Sequence, residues 1–217
     1  MIMKAVILGA TGAVGKELLK NILLEPRYSE IYVLGRKSIL NISNKGDFIP
    51  IVIDFENIKF DLEILNNADV YCALGTTIKV AKTKENQFKV DYTYIINVAK
   101  LCENRVNSFN IVSSIGANSN SSNFYLNTKG LLEESLKKLR INYLRIFQPS
   151  LLIAKRNDNR ILESFGMKIL PVLSNLFFGK FINYKPIKVE NLAKTMIYYT
   201  LKNDTKIYYT YEDFIKE

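Results

Sequence analysis

Nothing constrains this chain more than the seven residues Gly9-Ala10-Thr11-Gly12-Ala13-Val14-Gly15. They follow a short apolar run, Met3–Leu8 (MKAVIL), and precede Lys16–Leu24 (KELLKNILL), whose leucines recur at helical spacing. An apolar run, a glycine turn and such a stretch read as buried strand, tight turn and helix. The first N–H groups of a helix lack partners within it and carry a partial positive charge, so a helix start attracts phosphate. Gly9 permits the turn off the strand, Gly12 lets a pyrophosphate approach the backbone, and Gly15 lets the helix pack closely on the strand. Thr11, Ala13 and Val14 complete the loop that would face such a ligand. The spacing is G-x-x-G-x-x-G, not the commoner G-x-G-x-x-G, and its place between strand and helix gives it meaning.

The alternation continues along the chain. Glu30–Leu34, Phe48–Ile53, Ala68–Leu74, Ser108–Val112 and Asn142–Phe147 read as further strands. Glu85–Glu103 reads as a long helix, and a second helix begins near Tyr125 and runs through Glu133 to Leu139. Alternating strands and helices predict a parallel sheet with right-handed crossovers. Six strands with a glycine turn after the first predict an α/β Rossmann-type doubly wound sheet, its crevice at the carboxyl ends of the strands. At 217 residues the chain is read as one domain, 1–217. Residues from about 150 to 217 are expected to form a small substrate or lid appendage at the crevice mouth. It comprises an apolar stretch, Ile161–Phe178, a helix over Lys188–Leu201 and a short strand over Lys206–Tyr211.

Composition removes several kinds of chemistry. The chain has no histidine, which excludes Ser-His-Asp and Cys-His hydrolysis and histidine-based zinc sites. No metal site is expected. Proton transfer must then use Tyr, Lys, Asp, Glu or Cys. The formal charge of +9 is spread without long basic runs and without a nucleic-acid motif, which suits a phosphate-rich cofactor better than nucleic acid. The N-terminal apolar run breaks at Gly9 with no small-residue cleavage site after it, so no secretory signal is read. Ile169–Phe178, the most apolar later stretch, is far short of the ~20 residues a membrane span needs. Cys72 and Cys102 fit reduced thiols, and a cytoplasmic protein is expected.

Four further stretches carry candidate chemistry. Gly35-Arg36-Lys37 follows the second strand, where an NAD-preferring site normally places a carboxylate for the ribose 2′-hydroxyl. Glycine there repels no 2′-phosphate, and Arg36 and Lys37 would attract one, so NADP (NADPH) is the expected cofactor. Asp54, ending the third strand, would meet the adenine edge or cap a helix. Leu74-Gly75-Thr76-Thr77 brings glycine and hydroxyls to the crevice after the fourth strand, where backbone would pass close to the cofactor. Ser113 and Ser114 end the fifth strand, and Tyr125 and Lys129 stand four apart at the start of the next helix, on one face. A phenol titrates near ~10 unperturbed, so a neighbouring ammonium is needed to bring phenolate within reach. Tyr-x-x-x-Lys occurs three times, as Tyr125/Lys129, Tyr184/Lys188 and Tyr198/Lys202. Only the first follows a strand-ending serine pair, and the other two are expected at the surface.

With GATGAVG, the serine pair and YLNTK in place, the chain resembles the short-chain dehydrogenase/reductase superfamily in its extended or atypical branch. YCALGTT, VSSIGANSNSSNFYLNTKG and RIFQPSLLIAKR resemble, more narrowly, the Tat-interacting-protein-like NAD(P)H-binding family. The resemblance implies that Tyr125 and Lys129 are the catalytic pair, that Ser114 is the catalytic serine with Ser113 as the alternative, and that Pro149–Leu151 is the turn that meets the nicotinamide. Two features depart from the superfamily's pattern. Leu74-Gly75-Thr76-Thr77 replaces its asparagine-rich turn, and the helix asparagine of its proton relay has no match, with Asp91 nearby instead.

Two functions compete on this reading. The first is NADPH-dependent reduction of a small carbonyl compound at Ser114, Tyr125 and Lys129. The second is an NADPH-sensing regulator without turnover that contacts a protein or lipid surface peripherally through its apolar appendage. A sugar-nucleotide epimerase fits less well, because only about seventy residues follow the sixth strand. A monomer or homodimer is expected.

Overall fold

The computed structural model describes residues 3–37, 47–154 and 185–214. Strand β1 (Met3–Leu8) leads through the glycine turn into helix α1 (Ala13–Ile22). Strands β2 (Tyr28–Gly35), β3 (Ile49–Val52) and β4 (Asp69–Cys72) follow, with a short 3₁₀ turn at Leu62–Leu65 before β4. Two short helices come next, α2 (Ile78–Ala81) and α3 (Lys84–Phe88). A π-helical turn at Lys89–Thr93 then runs into α4 (Tyr94–Cys102). Strand β5 (Ser108–Val112), helix α5 (Phe124–Lys137) and strand β6 (Tyr143–Phe147) complete the expected alternation. The two-residue strands β7 (Leu152–Ile153) and β8 (Ile187–Lys188), helix α6 (Val189–Leu201) and strand β9 (Tyr208–Tyr209) close the chain.

The main sheet has the order β3-β2-β1-β4-β5-β6-β9, and every neighbouring pair is parallel. This is the doubly wound order with one strand added at the β6 edge. Strand β1 lies at the centre because its side chains satisfy two faces at once. Val6 and Leu8 join the core under α4 and α5, while Ala5 and Ile7 join the core under α1 and α6. A strand covered on both faces needs an unbroken apolar run, and MKAVIL supplies one. Leu18, Leu19 and Ile22 bury the inner face of α1, each contributing on the order of 1.5–3 kcal/mol.

Three differences from the sequence reading have physical causes. Strand β2 begins at Tyr28, two residues earlier than expected. The Tyr28 side chain is buried and its hydroxyl donates to Asp69 Oδ2 at 2.8 Å, which draws the segment into the sheet. The long helix expected over Glu85–Glu103 is broken by the π-helical turn, which turns Asp91 inward to 1% exposure. Periodicity of 3.6 gives no warning of such an insertion. The stretch beyond residue 150 is not wholly an appendage. Strand β9 pairs with β6 through Ile146↔Tyr208 and Phe147↔Tyr209, and Leu192, Ala193 and Met196 of α6 are fully buried in the core that α1 shares. The apolar stretch Ile161–Phe178 lies outside the described residues. Among the described residues no helix is long and apolar enough to cross a membrane.

Candidate functional site

The glycine turn stands where the sheet order reverses, between β1 and β4. Gly9 has φ +83°, a left-handed conformation, and a Cβ there would lie 2.6 Å from the Ala73 carbonyl carbon. At Gly15 a Cβ would lie 2.1 Å from the Gly9 carbonyl oxygen, so helix α1 meets the turn with no room for a side chain. Gly12 is different. Its Cβ would meet nothing nearer than Gly9 O at 3.4 Å, so the protein's own packing does not explain it. No side chain caps α1 and no acidic residue stands in its first turn, which leaves its N–H groups to an incoming acceptor. These features fit a bound pyrophosphate.

Two cavities open on either side of this turn, and Leu74 lines both. The first, of about 390 Å³, is lined by Gly9, Ala10, Thr11, Leu34, Gly35, Arg36, Lys37 and Phe55. Arg36 and Lys37 are exposed at its rim. Asp54 is not part of this wall. It is exposed and accepts the Glu56 N–H at 2.9 Å, capping a turn, while Phe55 takes the place facing the cavity.

The second cavity, of about 210 Å³, brings together Gly12, Ala13 and Val14 from the turn, Gly75, Thr76 and Thr77 after β4, and Asp91 from the π turn. Ser113, Ser114, Tyr125, Lys129, Pro149 and Ser150 share it. Residues far apart in sequence thus meet in one cavity, because β4, β5 and β6 all end at one edge. Leu152 and Val189 line the same wall, whereas Leu151 does not; its carbonyl accepts the Ile187 N–H at 2.8 Å. Gly15 is buried beneath the turn and lines neither cavity.

Lys129 is buried at the floor of this cavity, and its ammonium donates to the Val112 carbonyl at 3.4 Å. Burial alone would lower its pKa, but Tyr125, Asp91 and Glu133 around it raise it above the ordinary value, so it stays charged. Burial pushes the carboxyl groups of Asp91 and Glu133 upward, and the Lys129 charge opposes that in both. Tyr125 is half-buried and open to the cavity. The two serines differ. Ser113 is buried and donates to Glu133, while Ser114 is half-buried and, among the described residues, its hydroxyl donates to the neighbouring Ile115 carbonyl at 3.2 Å. Ser114 is therefore the hydroxyl more easily turned to a ligand.

The sequence reading gave no role to Gly130 or Glu133, and it noted Asp91 only as lying near the missing helix asparagine. Asp91 accepts the Thr76 N–H at 2.7 Å and so shapes the loop after β4. Gly130 lets the loop at Asn118–Ser119 cross α5, since a Cβ there would lie 2.1 Å from Ser119 N. Glu133 stands one helical turn beyond Lys129 and binds Gln148 as well as Ser113. The i, i+4, i+8 spacing of Tyr125, Lys129 and Glu133 was the signal available for Glu133. Of the other Tyr-x-x-x-Lys pairs, Tyr184 lies outside the described residues, and Tyr198 with Lys202 pairs at the surface of α6 away from both cavities.

No family model matches the chain. It is 31% identical over 207 residues to the protein FMP52, mitochondrial, of Candida albicans, covering 92% of this chain and 89% of that protein. It is 30% identical over 204 residues to the FMP52 protein of Debaryomyces hansenii, covering 90% and 87%. With the protein HTATIP2 of Rattus norvegicus it shares 32% identity over 163 residues, 71% of this chain and 64% of that relative's length. Among solved structures it resembles a putative NAD-dependent epimerase/dehydratase from Bacillus halodurans (TM-score 0.66, 19% identity, 95% of this chain and 91% of that one). It also resembles an oxidoreductase of the short-chain dehydrogenase/reductase family from Burkholderia thailandensis (TM-score 0.66, 14% identity, 92% and 86%). At those identities the structural likeness carries the fold alone. The expected cytoplasmic location is overturned, since the FMP52 relatives are named as mitochondrial. Two buried thiols suit any reducing compartment, so they had not favoured the cytoplasm.

Proposed function

We propose a function from one premise: this chain belongs to the family of the FMP52 proteins, within the atypical short-chain dehydrogenase/reductase superfamily. On that premise it is an NADPH-dependent reductase of a small carbonyl compound. The observation that carries this reading is the meeting of Ser114, Tyr125 and Lys129 in one cavity beside the uncapped, glycine-bounded start of α1. The glycine turn would hold the pyrophosphate, and Arg36 and Lys37 at the rim of the first cavity would hold a 2′-phosphate. When bound, NADPH supplies the hydride. Tyr125 holds a proton at its phenol oxygen and gives it to the carbonyl oxygen. The Lys129 ammonium favours the phenolate that is left, and it has donors remaining for ribose hydroxyls. Ser114 orients the carbonyl oxygen by donating to it.

The test measures NADPH oxidation with a panel of aldehydes and ketones. The wild type is expected to consume NADPH with at least one of them. Tyr125→Phe is expected to lower turnover by ~10²–10⁴-fold while leaving NADPH affinity within a few-fold, because the phenol acts on the substrate oxygen. A Tyr125→Phe protein with wild-type turnover would sink the assignment. A wild type that binds NADPH tightly and consumes none with any carbonyl would favour the sensor reading instead.

A further inference from the structure

The buried polar side chains around the second cavity are mostly accounted for by packing or by the proposed reaction, with one exception. Glu133 is a carboxylate at 5% exposure, on α5 one turn beyond Lys129, and the reaction as described does not use it. It receives the Ser113 hydroxyl, and Gln148 Nε2 donates to both of its oxygens, at 2.9 and 3.1 Å. Ser113 directly follows β5 and Gln148 directly follows β6. Next to each stands a residue of the cavity wall, Ser114 and Pro149. The two strand ends also touch through backbone, with Ser113 N–H donating to Phe147 O at 2.7 Å and Ile115 N–H to Pro149 O at 3.0 Å.

We propose that Glu133 is a positioning residue: its single carboxylate clamps the ends of β5 and β6 to α5 and so fixes Ser114 and Pro149 relative to the Tyr125–Lys129 pair. Three elements that reach the cavity from different parts of the chain are tied at one charged point. A neutral apolar residue could fill the space but could not accept from two donors on two strands. Burying a carboxylate is unfavourable, and such a group persists where its hydrogen bonds repay the lost hydration. The charges facing it are Lys129 and Lys137, both from its own helix. From β5 and β6 it meets the uncharged Ser113 and Gln148. Burial raises its pKa, so protonation as pH falls removes the clamp earlier than for an ordinary glutamate. The inference deepens the proposed function and depends on it only for the cofactor measurement below.

Hydrogen exchange, followed by mass spectrometry without ligand, tests the clamp directly. Glu133→Gln is expected to speed exchange at least fivefold in the peptides over 113–115 and 148–150, with β1 and α1 at wild-type rates. Ser113→Ala is expected to do so over 113–115 alone. Glu134→Gln, one position along on the exposed side, is expected to change neither segment. NADPH titration between pH 5 and 8 is the second measurement. Glu133→Gln is expected to bind at least fivefold more weakly at pH 8, with the difference narrowing as pH falls and Glu133 takes up a proton. Wild-type exchange in both segments of Glu133→Gln, or a rise spread evenly over the whole chain, would overturn the proposal. So would faster exchange in the two segments with NADPH affinity unchanged at every pH. A wild type that binds no NADPH would defeat the cofactor reading, and exchange would then decide the clamp by itself.

Discussion

Single atoms decide the chemistry of the glycine turn. Gly12 and Gly15 look alike in the motif but meet different neighbours. A Cβ at position 15 would sit 2.1 Å from Gly9 O, and no side chain there can swing away. Gly15→Ala is expected to lose ~1–3 kcal/mol or more, read by chemical denaturation. At position 12 the same methyl meets nothing nearer than 3.4 Å. Gly12→Ala is expected to lose no more than about 1 kcal/mol, from the poorer helix cap, yet to bind NADPH at least tenfold more weakly. Equal stability losses in the two variants would refute that division of roles. In the first cavity Gly35 stands where a carboxylate would repel a 2′-phosphate, and Arg36 supplies a cation. One charge-assisted contact contributes ~1.5–3 kcal/mol, so NADPH should bind at least tenfold more tightly than NADH. Arg36→Ala should erase most of that preference, and a fluorescence titration giving equal wild-type affinities would end the idea.

Helix α5 is the element on which the site depends. Its start carries Asn123, whose side chain accepts the Leu126 N–H at 3.1 Å and sets where the first turn begins. That start places Tyr125 and Lys129 on the cavity face and Glu133 behind them. The polar loop before it is held against the helix at Gly130 and by Asn118 N–H donating to Leu126 O at 3.1 Å. Gly130→Ala raises helix propensity, which on its own would stabilise by ~1 kcal/mol. The packing argues the opposite, since the new methyl would lie 2.1 Å from Ser119 N and 2.2 Å from Asn118 C. The expected result is a net loss of ~1–3 kcal/mol with weakened NADPH binding, as the loop lifts from the helix. A gain in thermal stability would show that the loop yields instead.

Across the whole molecule, the two cores on either face of the sheet differ in kind. Under α4 and α5 the buried charges Asp91, Lys129 and Glu133 gather around the second cavity, whereas on the other face a polar network lies within the core. In that network Tyr28 and Ser108 donate to Asp69, and Thr200 and Arg145 meet at Asn110 Oδ1. Thr200 brings α6 into it, so the C-terminal part of the chain is tied to the sheet by hydrogen bonds as well as by Leu192, Ala193 and Met196. Leu192→Ala is therefore expected to cost ~2–5 kcal/mol of global stability. Tyrosine fluorescence and far-ultraviolet circular dichroism should report one shared unfolding transition. A separate early transition, with the sheet intact after α6 has melted, would restore the view of this region as an appendage.

How much of this was legible in the sequence follows from the range of each interaction. Strand β1, the glycine turn, the start of α5 and the meeting of Ser114, Tyr125 and Lys129 all announced themselves. Each rests on local spacing or on the rule that parallel strands end at one edge. The turn at Gly9 and the close packing at Gly15 were equally local, whereas the approach of Gly9 to Ala73 was not. Tertiary structure alone decided the rest. The π turn that buries Asp91, the crossing that requires Gly130, and the grip of Glu133 on two strand ends depend on partners at least eleven positions away in sequence. Periodicity registers the face a residue occupies and carries no record of what that face meets. For the same reason the sequence set Tyr208 and Tyr209 in a strand but could not place that strand beside β6, where backbone pairing makes it the seventh of the sheet.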